Sequence, residues 1–393
     1  MASALVALAL FVTMACALRM PIPFAYVFAL LAIIQPVLRR ARGYRLVEFA
    51  VFLNASLAFS FLLAVRPYLN GDEIGFGPDM FSYSEGFDFL QTGQYDGLMS
   101  MLEGVATYTS STEPVFWIVV KIFSLIFSSS VGIHVAISML GFVLIYVAGV
   151  IVANQGLIAY LLYSSTITSY AFQGSGIRSG LAFCVMLLAV ALMIRGVRRG
   201  SSVAAISASA VHYSMLPMSL MVLARAGDIK NLRRVVQMVI LVAGGTIGTF
   251  LVARDTGEIG IGAKIAAYSS QADMEFSSTT QFLIESCCMG LLLLAYRHKA
   301  DRNLMFTMWI SFAFSMAILV LMPGAFPRYY RYEYVLFLAF FLSIFNQIDR
   351  VKQVAIVSAA LSWHVFMIFD RFSGHFWGQG FADHLFFSLI DIV

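Results

Sequence analysis

Long apolar runs separated by short polar segments form the main pattern of this chain. A membrane-spanning helix needs about 20 mostly apolar residues to cross ~30 Å of hydrocarbon. Runs near this length recur along the whole sequence: Ala2–Leu18, Ile22–Leu38, Val47–Val65, Val131–Val152, Gly156–Phe172, Ile177–Ile194, Val235–Ala253, Gln281–Tyr296, Leu304–Met322, Glu333–Ile348 and Gln353–Phe369. The pattern predicts an all-α polytopic membrane protein of about 11 transmembrane helices, with a single membrane domain over residues 1–393.

Two further apolar runs, Pro114–Phe127 and Ser201–Ala224, are predicted not to be simple spans. Arginine and lysine clusters mark cytoplasmic loops, and five occur: Arg39/Arg40/Arg42/Arg45, Arg195/Arg198/Arg199, Arg225/Lys230/Arg233/Arg234, Arg297/Lys299/Arg302 and Arg350/Lys352. All five lie inside if Pro114–Phe127 follows the outer interface and Ser201–Ala224 is a re-entrant hairpin that turns near His212–Pro217. Broken helices at membrane depth line protein cavities or water, so we expect a hydrated cavity beside His212.

This threading places the N-terminus in the cytoplasm and the C-terminus outside. Three loops then share the outer face: an acidic loop at 66–130, a second loop at 254–280, and a loop rich in arginine and tyrosine at 323–332. The segment Arg66–Glu113 contains eight acids and one cation. Such a loop on a membrane protein indicates chemistry at the bilayer surface.

The composition narrows the expected partners. Hydrophobic residues make up 60% and charged residues 12% of the chain, whereas soluble domains carry roughly 25% charged residues. The basic residues are short clusters beside helices, so membrane lipids are expected partners and nucleic acid is not. Cysteines and histidines show no metal-ligand spacing, so neither a metal site nor a cofactor is expected.

Three arginines at the predicted outer face depart from the positive-inside pattern. Arg178 begins a helix among small residues, and Arg328 and Arg331 lie in a tyrosine-rich turn with Tyr329 and Tyr332. Arginines that snorkel to lipid phosphates are the simpler explanation, and an aromatic belt explains the tyrosines. The alternative is a phosphate-binding site, because a guanidinium stays charged and donates two parallel hydrogen bonds.

Two other polar groups are candidates for the site. His212 lies within an apolar stretch, where an ionisable residue supports a functional hypothesis, although most lone histidines are core residues. Asp79 and Tyr83 follow the segment Gly75-Phe76-Gly77-Pro78. A carboxylate there is a candidate general base toward a sugar hydroxyl, while solvation of the loop is the simpler role.

Several short motifs together resemble the EpsG/Wzy-like family of bacterial polysaccharide polymerases, within the GT-C glycosyltransferase class. The matching segments are Gly77-Pro78-Asp79-Met80-Phe81-Ser82-Tyr83, Glu113-Pro114-Val115-Phe116, Ile177-Arg178-Ser179-Gly180-Leu181-Ala182, His212-Tyr213-Ser214 and Arg328-Tyr329-Tyr330-Arg331-Tyr332. Ser179 stands where the family pattern has a glutamine. The match covers roughly residues 70–340.

The resemblance implies a GT-C-like membrane fold, with outer juxtamembrane helices after the first external loop. It also implies inverting glycosyl transfer between undecaprenyl-diphosphate-linked oligosaccharides, at the periplasmic face of the bacterial inner membrane. In this reading Arg178, Arg328 and Arg331 bind the diphosphate and Asp79 is the base. Substrate-binding residues also include the following: His212, Tyr83, Tyr329 and Tyr332.

Three alternatives remain open from the sequence. The product of a polymerase would be O-antigen, capsule or exopolysaccharide, with a chain-length regulator and a flippase as possible partners. Another GT-C transferase or an O-antigen ligase is the enzymatic alternative. A flippase or transporter for the same glycans is the non-enzymatic one, but transporters carry their polar groups near the membrane midplane. Sugar identity, linkage and oligomeric state are not encoded in any recognisable pattern.

Overall fold

The computed structural model describes residues 20–69, 79–93, 95–109, 113–226, 294–296, 298–299, 301–321 and 326–372. This part of the chain is helical and contains no strand. The predicted spans Ala2–Leu18 and Val235–Ala253, most of Gln281–Tyr296, and the loop at 254–280 lie outside the described residues.

Fourteen α-helices of five residues or more follow one another along the described chain. They are α1 (Pro21–Ile34), α2 (Pro36–Arg40), α3 (Tyr44–Leu69), α4 (Asp79–Thr92), α5 (Leu98–Thr109), α6 (Pro114–Ser124), α7 (Ser130–Ala153), α8 (Gly156–Ser164), α9 (Ile177–Ile194), α10 (Arg198–Val211), α11 (Leu216–Ala226), α12 (Arg302–Leu321), α13 (Phe326–Phe345) and α14 (Arg350–Phe372). A short turn of helix at Ile167–Ser169 and a π-helix at Tyr170–Ser175 join α8 to α9.

The chain is an α-helical membrane protein. Among the described helices, four are long and apolar enough to cross a membrane: Tyr44–Ala64, Ser130–Ala153, Ile177–Ile194 and Arg350–Ile368. These match four predicted spans closely. The total of 11 stays a prediction.

Two predicted spans are interrupted in the structure: Ile22–Leu38 is broken at Gln35, before Pro36, and Gly156–Phe172 is broken after α8. Helix α8 ends at Ser164, where three successive hydroxyls hydrogen-bond backward to the main chain: Ser164 to Leu161 O, Ser165 to Leu162 O and Thr166 to Tyr163 O. Serine and threonine side chains compete in this way with regular helical hydrogen bonding. After the interruption the chain forms the turn at Ile167–Ser169 and then the π-helix, which Gly176 separates from α9.

The predicted helix break at His212 is confirmed. Helix α10 ends there because His212 adopts an extended backbone with φ −154° and ψ 118°. After a 3₁₀ turn at Tyr213–Met215 the chain returns as α11. Ser219 ties the two helices together, since its hydroxyl donates to Ala205 O at 2.6 Å and accepts from Ser209 at 2.5 Å.

Helix α6 is too short to span a bilayer. Its 11 residues extend about 16 Å at 1.5 Å per residue, roughly half of the ~30 Å hydrocarbon layer. Helices α4, α5 and α6 all lie within the predicted outer segment 66–130. Their lengths fit the juxtamembrane helices that the family resemblance implies.

The described helices divide into two compact units. The first takes its residues from Met1–Cys184 and Ile348–Val393, and the second from Val185–Gln347. In the first unit, α1, α3, α7, α8 and α14 pack around an aromatic core. Tyr26 joins three of these helices, because its hydroxyl donates to Leu161 O at 3.0 Å and lies 3.0 Å from His364 Nδ1. In the second unit, α10 pairs with α11 and α12 with α13.

The placement of α6 and the α10–α11 hairpin in the membrane gives a first prediction. Single cysteines at Ser111 and Ser129, which flank α6 in the chain, are expected to react with a membrane-impermeant thiol reagent from outside. Single cysteines at Ser202 and Ala226, near the two ends of the hairpin, are expected to react only after the cytoplasmic side is opened. The native cysteines are removed in all variants. Opposite sidedness within either pair would contradict the threading.

Candidate functional site

Arg178 lies at the centre of a buried polar cluster in the first unit. It is the second residue of α9, directly after the π-helix and Gly176. Its Nε donates to the Tyr83 hydroxyl at 2.6 Å, and its Nη1 donates to Glu113 Oε2 at 2.6 Å. Only 12% of the Arg178 side chain and 7% of the Glu113 side chain are exposed. We call Arg178, Tyr83 and Glu113 the arginine triad.

Each partner in the arginine triad is positioned by a different short helix. Glu113 is the N-cap residue of α6. The next residue, Pro114, occupies the first position of the helix, where proline is favoured. Tyr83 lies on α4 and is buried against Phe116 and Trp117, with ring centroids 6.0 and 6.4 Å away. The juxtamembrane helices therefore hold the two groups that orient the guanidinium.

The close packing of α4 on α6 requires a glycine. A Cβ added to Gly86, which follows Tyr83 by less than one turn, would lie 3.0 Å from Trp117 Cη2 and 3.2 Å from Thr109 Cγ2. Both contacts are tighter than ordinary van der Waals distances. Gly86 thus permits the approach that brings Tyr83 to Arg178.

Among the residues that the structure describes, two of the five guanidinium N–H groups bond to Tyr83 and Glu113, so three are left for other acceptors. Glu113 neutralises the charge of Arg178 and fixes the plane of the guanidinium at the same time. Arg178 can therefore offer directed hydrogen bonds to an anion, whereas net positive charge has to come from other residues.

Two of the predicted substrate-binding residues, His212 and Tyr332, lie close together in the second unit. The His212 and Tyr332 rings lie 6.3 Å apart, and Ser214 donates to the Tyr332 hydroxyl at 2.7 Å. Tyr332 is buried on α13. Arg331, the preceding residue, is exposed.

Other predicted residues are described only in part. Asp79 is the first residue of α4, one helical turn before Tyr83; the sequence suggested a loop there. Helix α13 begins at Phe326 rather than at Glu333, so Arg328 and Tyr329 lie in its first turn. The side chains of Asp79, Arg328 and Tyr329 lie outside the described part of the structure.

Two buried glutamates, Glu113 and Glu333, have hydrogen-bond partners that the sequence did not predict. Glu113 begins one of the segments that match the family, but neither that segment nor the following proline indicates that it pairs with Arg178. Glu333 is buried on α13, and its Oε1 accepts hydrogen bonds from Ser311 at 3.1 Å and Ser315 at 2.5 Å on α12. Among the described residues, no group of three histidines, cysteines or acids is arranged to hold a metal ion.

The Arg178–Glu113 pair predicts a stability effect. Glu113→Ala is expected to lower the free energy of unfolding by roughly 3–5 kcal/mol, because it leaves a largely buried guanidinium without its counter-charge. Thermal and denaturant unfolding of the detergent-purified protein would measure the change.

Asp349 offers a matched control for this measurement. It forms an exposed pair with Lys352, whose ammonium hydrogen-bonds to it at 2.8 Å and lowers its pKa. Asp349→Asn keeps an N-cap side chain for α14 and removes only the charge, so little change is expected. Equal stability of the Glu113→Ala protein and the wild type would contradict a structural role for the buried pair.

Comparison with known proteins gives the family. Residues 55–383 match the model of the EpsG family. The EPS I polysaccharide export inner membrane protein EpsF of Ralstonia nicotianae is 24% identical over 387 residues, covering 93% of this chain and 90% of the relative. The protein of the same name from Ralstonia solanacearum is 24% identical over 388 residues, covering 93% and 89%. No solved structure matches the chain. The match to the family model, over most of the sequence, shows that this chain belongs to the EpsG family.

Proposed function

We propose that the chain is a polysaccharide polymerase of the bacterial inner membrane that joins polyprenyl-diphosphate-linked oligosaccharide repeat units. The observation that carries the proposal is the arginine triad, an oriented guanidinium at the start of a membrane-length helix in a member of the EpsG family. The relatives named as polysaccharide export inner membrane proteins support the location and the class of polymer.

The proposed reaction is an inverting glycosyl transfer at the periplasmic face. A hydroxyl oxygen of one lipid-linked repeat unit attacks the anomeric carbon of a glycan on undecaprenyl diphosphate. The new glycosidic bond forms as the bond to the diphosphate oxygen breaks, and the electron pair leaves with undecaprenyl diphosphate. The proton of the attacking hydroxyl passes to Asp79, the proposed base.

The arginines are proposed to stabilise the departing diphosphate. Fixed donors aimed at developing charge stabilise a transition state without reorganising, and Tyr83 and Glu113 fix the Arg178 guanidinium in this way. Because Glu113 offsets the charge of Arg178, Arg328 and Arg331 are proposed to supply the net positive charge that binds the diphosphate. Further substrate contacts are proposed for the following aromatic residues: His212, Tyr83, Tyr329 and Tyr332.

Export is the second candidate function, because the two relatives carry that word in their names. A flippase for the same lipid-linked glycans fits the name as well as a polymerase does. An O-antigen ligase or another GT-C transferase shares the proposed chemistry with a different acceptor. Loss of each of these activities is expected to make a different lipid-linked glycan accumulate in the membrane.

Deletion of the gene separates these functions. Loss of a polymerase is expected to leave single repeat units on the lipid at the outer face, where a membrane-impermeant glycan label reaches them in spheroplasts. Loss of a flippase would leave single repeats out of reach of the label, and loss of a ligase would leave long lipid-linked chains. Either of the last two results would contradict the polymerase proposal. Complementation with the wild-type gene provides the control.

A further inference from the structure

We infer that His134 and Gln173 are positioning residues for Arg178: they hold the π-helix that precedes α9 and so set the direction of the guanidinium. The inference rests on the proposed function, because it assumes that Arg178 binds the diphosphate. Neither residue belongs to the arginine triad or to a motif singled out in the sequence.

The π-helix influences the position of Arg178, because it lies just before the start of α9. It covers Tyr170–Ser175, and only Gly176 and Ile177 separate it from Arg178. Single-turn π-helices are rare in proteins, and those that occur often lie at functional sites. A widened turn at this position changes the point and the direction at which the chain leaves Gly176 and enters α9. The position of the guanidinium beside Tyr83 and Glu113 therefore depends on the geometry of this turn.

His134 fixes the main chain of the π-helix. Its Nε2 lies 2.6 Å from the carbonyl oxygen of Gln173. A carbonyl oxygen only accepts hydrogen bonds, so His134 Nε2 carries the hydrogen and donates it. His134 is fully buried on α7, five residues beyond the N-cap Ser129. The bond thus joins a long, apolar, membrane-length helix to the turn before Arg178.

The Gln173 side chain fixes the same turn from another direction. Its Nε2 lies 3.3 Å from the Tyr163 hydroxyl and 3.4 Å from Cys184 Sγ, on α8 and α9. A Cβ on Gly141 of α7 would lie 3.0 Å from Gln173 Nε2. Gln173 is fully buried, and its amide occupies a space that admits little displacement.

Several polar side-chain atoms are buried around this turn, although close packing there does not need polar groups. Within the described part of the chain, His134 Nδ1, Ser138 Oγ and Gln173 Oε1 are buried without a hydrogen-bond partner. Buried polar atoms without partners are destabilising, and apolar side chains of similar size would pack there without that penalty. The retained polarity supports a specific role for the His134–Gln173 bond in placing Arg178.

A double-mutant cycle tests the inference on the full-length protein in lipid nanodiscs, with undecaprenyl diphosphate as the binding probe. His134→Leu removes the donor and is expected to weaken binding about tenfold, a coupling typical of residues in one hydrogen-bond network. Arg178→Ala is expected to weaken binding tenfold or more. The double variant is expected to bind no more weakly than Arg178→Ala alone, because His134 acts only through the arginine.

Two further variants separate positioning from packing. His134→Gln keeps an N–H donor at a similar reach and is expected to bind almost as the wild type does. Ser138→Ala changes a neighbouring buried polar residue on the same face of α7 and is expected to leave binding unchanged. Gln173→Met, run through the same cycle with Arg178→Ala, gives a second measurement if His134→Leu does not fold.

The outcomes distinguish the inference from the proposed function. An equal loss of binding from His134→Leu in the wild-type and Arg178→Ala backgrounds would overturn the positioning role alone. The same loss from Ser138→Ala would also overturn it, since it would reveal a general packing effect. Unchanged binding by Arg178→Ala itself would remove the phosphate role of Arg178, and the positioning role with it.

Discussion

Asp79→Asn is expected to slow glycosyl transfer by about 10²–10⁴, the usual effect of losing a general base. Asparagine has the shape of aspartate but does not accept the proton of the attacking hydroxyl. Asp79 begins α4 one helical turn before Tyr83, whose hydroxyl bonds Arg178. The backbone therefore places the proposed base in the same short helix as a member of the arginine triad.

Asp88 provides the control on the same helix. It is exposed, and its Oδ1 accepts a hydrogen bond from Ser130 at 2.9 Å. Asp88→Asn keeps an oxygen acceptor for that bond, so transfer is expected to continue at nearly the normal rate. Rates are measured at saturating lipid-linked donor, with binding of the donor measured separately. Equal rates for Asp79→Asn and the wild type would remove Asp79 as the base and leave the polymerase proposal standing.

Arg178→Ala is expected to reduce polymer formation at least tenfold. The loss of a charge-assisted hydrogen bond to the diphosphate costs about 1.5–3 kcal/mol, and each 1.36 kcal/mol is about tenfold in rate. Arg178→Lys is expected to recover only part of the activity, because an ammonium lacks the planar fork that bonds Tyr83 and Glu113 together. Alanine variants of Arg328 and Arg331 are expected to lose polymer as well.

Instability has to be separated from lost catalysis in these variants. Arg178→Gln removes the charge but keeps a polar side chain beside Glu113, so its expression and unfolding temperature report on folding. Arg45 is a matched control, since it also pairs with a buried glutamate, Glu48, at 2.5 Å near the start of another span. Arg45→Ala is expected to retain polymer formation. Near-normal polymer from well-expressed Arg178, Arg328 and Arg331 alanine variants would contradict the diphosphate role of all three, and would leave Arg178 as a structural partner of Glu113.

The apolar pattern predicts the long helices well. The span Ile177–Ile194 has the predicted bounds, and Val131–Val152 differs from α7 by one residue at each end. Hydrophobic length determines such helices almost alone, because unpaired backbone groups are not tolerated in hydrocarbon. The break at His212 was also predictable, since the positive-inside rule required the chain to turn between two basic clusters.

The interrupted span and the site partners were not predictable in the same way. Residues 156–172 are apolar enough to read as one helix, and the break after Ser164 depends on hydroxyls that bond backward to the main chain. The Arg178–Glu113 contact joins residues 65 positions apart. Glu113 begins one of the segments that match the family, but nothing in that segment identifies Arg178 as its partner. Contacts of this kind are set by packing between helices.

Glycosidic bond formation by the purified protein tests the central claim most directly. The full-length protein in proteoliposomes is given a chemically defined undecaprenyl-diphosphate-linked repeat unit, and glycan length and free undecaprenyl diphosphate are measured together. The polymerase account predicts a ladder of longer glycans, with one undecaprenyl diphosphate released for each bond formed, and loss of both products in the Arg178→Ala protein. Movement of the intact lipid-linked unit across the bilayer, with neither longer glycans nor released undecaprenyl diphosphate, would contradict it.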